Sequence, residues 1–229
     1  MNNPTTTLVI VHTGPVTVQP LAALAPELLP GVRVVNLVDD SLLKDTMAAG
    51  QVTPEVTRRL AQYMLIGQEM GATLILNACS SVGEAADAVR PLLNVPVVKI
   101  DTAMAERAVA SGKRIGVAAT VQTTLDPTAR LIERVAAEAG KGVQVSRKLC
   151  EGAFDALLAG DTARHDEIVE RNLVELAGEV DIIVLAQVSM GRVADQLGER
   201  IRTPVLTSPR LGLERVAEVL RVQQLKQAA

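Results

Sequence analysis

Aromatic residues are nearly missing from this chain: Tyr63 and Phe154 are the only two in 229 residues, and there is no tryptophan. Base stacking and aromatic-cage recognition therefore have almost no material to work with. Runs of Lys and Arg are missing too, and the net charge is −3, which leaves no electrostatic footprint for nucleic acid or for an anionic membrane. The opening Met-Asn-Asn-Pro-Thr-Thr-Thr has no basic region, and no apolar run reaches about 18 residues, so neither a signal peptide nor a membrane span is expected. Only two cysteines, Cys79 and Cys150, and two histidines, His12 and His165, are present. Their spacing matches no metal-ligand pattern, and two thiols in a chain of this length predict reduced cysteines in a cytoplasmic protein. No strand is followed by Gly-x-Gly-x-x-Gly, so a dinucleotide site is not expected either.

What the chain does contain is apolar strand material, at 48% hydrophobic residues, enough for one domain or for two lobes of about 100 residues each. The central stretch runs from Thr73 to Asp87. An apolar run, Leu-Ile-Leu-Asn-Ala, stops at Cys79-Ser80-Ser81-Val-Gly83 before a helical pattern, which is how a buried parallel strand enters a helix. The stretch occurs twice. An offset of 108 lays Thr73 to Val98 on Asp181 to Leu206, with Ile75, Ala78, Ser81, Gly83, Ala86, Asp87, Pro96 and Val97 meeting identical residues and Cys79 falling on Gln187. A second offset, 106, sets Val11 on Val117 and Thr17 on Thr123, and a third, 111, sets Asp39-Asp40-Ser41 on Cys150-Glu151-Gly152.

The pattern predicts an α/β protein of two pseudo-symmetric Rossmann-like lobes, each a mainly parallel sheet flanked by helices, with the active site between them. Residues 1–100 plus 208–229 form the first lobe, carrying Cys79, and 101–207 form the second, carrying Gln187. Strands are expected at 8–11, 32–38, 73–78, 95–100, 114–118, 143–149, 181–186 and 205–207. The longer helices are expected at 54–70, after Thr53 as N-cap, from the end of a turn at 119–124 to about 139, and at 162–176.

Ligands in such sheets bind at the carboxyl ends of the strands. Cys79 is the leading candidate there, as an acid/base group whose pKa a helix N-terminus would draw down from about 8.5; the alternative is a small buried hydrophobe. Thr120, Thr123 and Thr124 offer hydroxyls and amides to a carboxylate, or cap a helix. His12 is the candidate second acid/base, or a loop histidine bonded to a carbonyl. Asp40, in a loop from Asp39 to Leu42, and Glu151 orient a ligand or cap helices. Thr13, Asn77, Ser80, Ser81, Gln187 and Ser189 complete the substrate-binding set. Cys150 reads as buried filler and His165 as part of a solvated helix face.

Asn77-Ala-Cys79-Ser80-Ser81, its counterpart Leu185-Ala-Gln187-Val-Ser189, and Gly116-Val-Ala-Ala-Thr120-Val-Gln-Thr123-Thr124 together resemble the aspartate/glutamate/hydantoin racemase superfamily over nearly the whole chain. Glu151-Gly152 with Phe154, and Pro204-Val-Leu, add to the likeness. The resemblance implies a cofactor-independent enzyme in which Cys79 moves the proton α to a carboxylate, while Thr120, Thr123 and Ser81 hold the carboxylate of a small acid. It also implies a homodimer or higher homo-oligomer. Gln187 stands where two-cysteine members carry their second thiol, and an amide cannot donate a proton as a thiol does. His12-Thr13 stands where the amino-acid racemases carry Asp-Ser. The expected activity is racemase, epimerase or isomerase. The rivals are a cofactor-free decarboxylase resembling arylmalonate decarboxylase and a ligand-binding homologue without catalysis.

Overall fold

The computed structural model describes residues 6–228, without the side chains at 199, 227 and 228; most of the opening segment weighed above as a leader lies outside them. The chain divides into two units, residues 1–100 with 209–229, and residues 101–208.

Unit 1 is built on β1 (Thr7–His12), β2 (Arg33–Val38), β3 (Leu74–Asn77) and β4 (Val97–Lys99), all parallel, in the order β2-β1-β3-β4. Every residue of β1 and β3 is buried, because helices cover both faces of an all-parallel sheet. Side chains alternate between those faces. Val9, Val11 and Ile75 pack into one core with Leu42, Val56, Leu60 and Met64, which come from α2 (Ser41–Ala49) and α3 (Pro54–Glu69). Leu8, Ile10, Leu74 and Leu76 pack into a second core with Leu21, Leu213, Val216 and Leu220, from α1 (Val18–Leu28) and a helix at the far end of the chain. Thr53 caps α3 as expected, its side chain accepting from the Val56 amide at 3.3 Å. The expected loop from Asp39 to Leu42 is corrected: α2 begins at Ser41, since Leu42 and Thr46, four apart, give it a buried stripe.

Unit 2 repeats the plan with β5 (Arg114–Ala119), β6 (Gln144–Leu149), β7 (Ile182–Leu185) and β8 (Val205–Thr207), parallel and ordered β6-β5-β7-β8. Its core joins Ala118, Ile183 and Leu185 to Ile168, Val169, Leu173 and Leu176 of α8 (Thr162–Ala177), one helical face at spacings of three and four. The other helices are α4 (Gly83–Val89) in unit 1 and α5 (Thr102–Ser111), α6 (Gln122–Glu138), α7 (Ala153–Leu158) and α9 (Gly191–Leu197) in unit 2. The last, α10 (Ser208–Ala228), follows β8 yet completes unit 1, whereas α5 follows β4 yet belongs to unit 2.

Matching pairings show where one sequence offset fails. Val11 pairs with Asn77 as Ala118 pairs with Leu185, so the counterpart of Val11 is Ala118 and not Val117. That one-place correction makes Thr13 the counterpart of Thr120. At the opposite end of the sheets, Thr73 Oγ1 accepts from the Thr7 amide at 3.1 Å. Its counterpart Asp181 accepts from the amides of Lys113 and Arg114, at 3.0 and 2.9 Å, and from the Arg114 guanidinium. Those bonds, the Arg114 amide foremost, hold the Asp181 carboxyl down at about 2. No helix among the described residues is long and apolar enough to cross a membrane.

Candidate active site

In a sheet ordered 2-1-3-4 the winding reverses between the two central strands, and the crevice outside their carboxyl ends is where backbone amides and loop side chains can meet a ligand. In unit 1 that point carries His12-Thr13 after β1 and Cys79-Ser80-Ser81 after β3. In unit 2 it carries Thr120 after β5 and Gln187 to Ser189 after β7.

Cys79 sits in extended backbone ahead of a single 3-10 turn, Ser80–Val82, that leads into α4. The residue keeps partial exposure, although protein surrounds the sulfur and the side chain packs against the first core. The sulfur is the acceptor of a ring of donors: the Thr13 hydroxyl, the Ser81 amide and hydroxyl, and the Val82 amide. Each favours the thiolate, but burial acts the other way and is stronger, so the thiol titrates above its ordinary value. This corrects the expectation of a pKa drawn toward neutrality: at neutral pH the group rests as a thiol. Asn77 is fully buried, and its Nδ2 donates to the Cys79 carbonyl at 2.8 Å. It shapes the bend that presents the sulfur, and its Oδ1 is left without a partner among the described residues.

In unit 2 the same framework holds different chemistry. Gln187 occupies the Cys79 position, and its Oε1 accepts from the Thr120 amide at 2.5 Å and the Thr120 hydroxyl at 2.9 Å. Thr120 and Thr124 are buried, whereas Ser189 keeps partial exposure. The threonines do not cap α6, whose N-cap is Val121 with no side-chain bond. Thr123 Oγ1 is instead a buried hydroxyl without a partner among the described residues, in the first turn of that helix, where unpaired amides and the helix dipole favour an anion.

A scan against family descriptions matches residues 10–216 to the Asp/Glu/Hydantoin racemase family. The chain belongs to that family. No functionally curated protein sequence matches it. Among solved structures, glutamate racemase RacE1 from Bacillus anthracis superposes with a TM-score of 0.76 at 17% identity, covering 96% of this chain and 84% of that one. Allantoin racemase from Klebsiella pneumoniae gives 0.69 at 17%, covering 95% and 89%, and Picrophilus torridus aspartate racemase gives 0.70 at 14%, covering 93% and 94%. At such identities the likeness is one of fold.

The remaining candidates of this racemase-family chain separate by burial. His12 is fully buried, with Nδ1 2.6 Å from Thr17 Oγ1 and Nε2 2.9 Å from Asn36 Oδ1. Burial pushes its pKa down, and both nitrogens are engaged. Asp40 is exposed and pairs with Lys44 at 2.5 Å, and Glu151 is also exposed. Its neighbour Asp39 is the carboxylate that turns inward, accepting from the Ser41 amide at 2.9 Å, from the Ser41 hydroxyl at 2.6 Å and from Tyr63. Burial opposes its ionisation, but these bonds and Arg59 together hold its pKa down. Lys99, at the end of β4, is buried with its Nζ 2.5 Å from Asp87. An isolated lysine in an apolar strand gave no signal of this partner.

Cys150 is fully buried, and burial pushes its thiol up to about 12. The reading of His165 is corrected. It is fully buried, three and four residues before Ile168 and Val169 on the core face of α8, and bonds Asp166 at 2.8 Å. Asp166 is held in turn by Arg192, so the charges around His165 in sequence lie beside it and not under it.

Proposed function

We propose that this chain is an enzyme that moves a proton at the carbon α to the carboxylate of a small polar acid, with Cys79 as the group that carries the proton. The observation that supports it is the sulfur at the reversal point of the first sheet, met by four donors, on a residue that keeps partial exposure. The Cys79 thiolate takes the α-proton, leaving a thiol and an enediolate, and the thiol returns a proton to carbon. In unit 2 the Thr123 hydroxyl and the first amides of α6 offer donors to a carboxylate. Thr13 and Asn77 set the position of the sulfur, and His12, with both nitrogens engaged, braces the end of β1. No step requires a cofactor.

The test is incubation of the protein with each enantiomer of aspartate and glutamate, and with allantoin, in deuterium oxide, followed by mass and optical analysis. Deuterium at the α-carbon that disappears in Cys79→Ser supports the proposal. Because the thiol rests protonated, exchange should climb with pH toward the raised pKa and not level off at neutrality. The same resting thiol favours one rival, protonation of a carbanion left by loss of carbon dioxide; carbon dioxide release from a substituted malonate, without exchange, would replace the proposal with that one. Saturable binding that survives in Cys79→Ala, with no turnover in the parent, would make the chain a binder.

A further inference from the structure

We infer that Gln187 determines which acids are accepted, by presenting a fixed hydrogen-bond donor to an acceptor oxygen on the substrate. The inference rests on the function proposed above. Gln187 Oε1 lies 2.5 Å from the Thr120 amide nitrogen and 2.9 Å from Thr120 Oγ1. A backbone N–H only donates, so the carboxamide has one acceptable orientation: turned over, it would set two donors against each other beside a buried threonine. With the oxygen held, Nε2 carries two hydrogens that no group among the described residues accepts, on a residue that keeps partial exposure. At the equivalent place in unit 1 the Thr13 hydroxyl serves the Cys79 sulfur. In unit 2 the same hydroxyl serves to aim an amide.

An amide carries no proton to give near neutrality, so the group acts in recognition. Donors of this kind suit a carboxylate or carbonyl oxygen and reject an ammonium, which brings only hydrogens. The only guanidinium close by in sequence, that of Arg192, is spent on Asp166. The ligand class is therefore a small acid whose second polar group is an acceptor oxygen.

Three probes of similar size separate the cases: malonate (a second carboxylate), malonamate (a neutral carbonyl) and 3-aminopropanoate (an ammonium). Each is titrated into nitrogen-15-labelled protein while the Gln187 side-chain amide and the Ser81 and Thr123 backbone amides are followed. Malonate or malonamate should move the Gln187 resonances saturably, with 3-aminopropanoate at least ten-fold weaker; a response to malonate alone would identify the acceptor as charged. Gln187→Glu keeps an oxygen for Thr120 but replaces the outward donor with an acceptor, and should reverse the order by at least ten-fold. If the glutamate variant does not fold, Thr120→Val, which frees the carboxamide, should shrink the discrimination instead. Malonate binding seen at Thr123 with Gln187 unmoved, and unchanged in the variant, would overturn the inference and leave the proposed function standing. No response at Thr123 or at Ser81 to any probe would leave the proposed function without a ligand, and the inference with it.

Discussion

The two units share a strand order and a pairing register, yet the residues at their strand ends differ in kind. Where unit 1 ends its strands with His12, Asn77 and Lys99 and follows β3 with Cys79, unit 2 has Ala119, Leu185, Thr207 and Gln187. After β2 stands Asp39, held ionised; after β6 stands Cys150, held neutral. At these positions the groups that carry charge or exchange a proton, His12, Lys99, Asp39 and Cys79, lie in unit 1, and unit 2 answers them with Ala119, Thr207, the neutral Cys150 and Gln187. A repeated backbone fixes where side chains are delivered, and leaves each copy free to specialise.

Copying unit 2 into unit 1 tests that contrast most severely at Cys79. Cys79→Gln should keep the fold, since Thr13 can serve an amide as Thr120 does, but should reduce exchange by about 10²–10⁴-fold, the usual worth of an acid/base group; an active variant would end the role given to the thiol. Gly212→Ala tests the packing of α10 on unit 1. Its Cβ would stand 2.8 Å from the Ile100 carbonyl oxygen, a backbone atom, so a loss of about 1–3 kcal/mol is expected in denaturant titration. Gly116→Ala in unit 2 meets the whole branch of the buried Leu176, its Cγ and both Cδ carbons at 2.8–3.0 Å, and should cost a comparable amount. Lys99→Thr, which installs the unit 2 residue, removes the partner of a half-buried Asp87 and should cost about 1–2 kcal/mol, less than a sealed ion pair because Asp87 is 33% exposed and also meets Arg90.

Cys150 has a folded pKa raised from 9.0 to about 12. Its contribution is therefore intact below pH 9 and falls as pH rises through that window, by at most about 1.4 kcal/mol per pH unit. Cys150→Ala should flatten the alkaline limb of a stability profile. Asp40→Asn, which breaks an exposed pair with Lys44, should change the unfolding free energy by less than about 1 kcal/mol.

The strand framework was legible because buried parallel strands announce themselves as apolar runs: β3 and β7 stand out at Leu74–Asn77 and Ile182–Leu185, and the duplication follows from laying one on the other. The same comparison slipped by one place at β1 and β5, where identities are sparse and only the pairing register fixes the match. Thr13 and Thr120 were thus each noticed but never set side by side. Burial was the other blind quantity. Composition made His165 a surface residue because its neighbours are charged, and made the Cys79 thiol acidic because it heads a turn. Which way a residue faces, and how much water its charge gives up, depend on elements far off in sequence.

The exchange of terminal helices gives the chain a temporal order. Residues 101–208 form an uninterrupted unit that can close as soon as it has left the ribosome. The opening hundred residues cannot, because Leu213, Val216 and Leu220 cover Leu8, Ile10 and Leu76 only when the final helix is made. The half that carries the thiol is begun first and sealed last, and loss of the last twenty residues would bare the apolar face of a sheet nearly two hundred residues upstream.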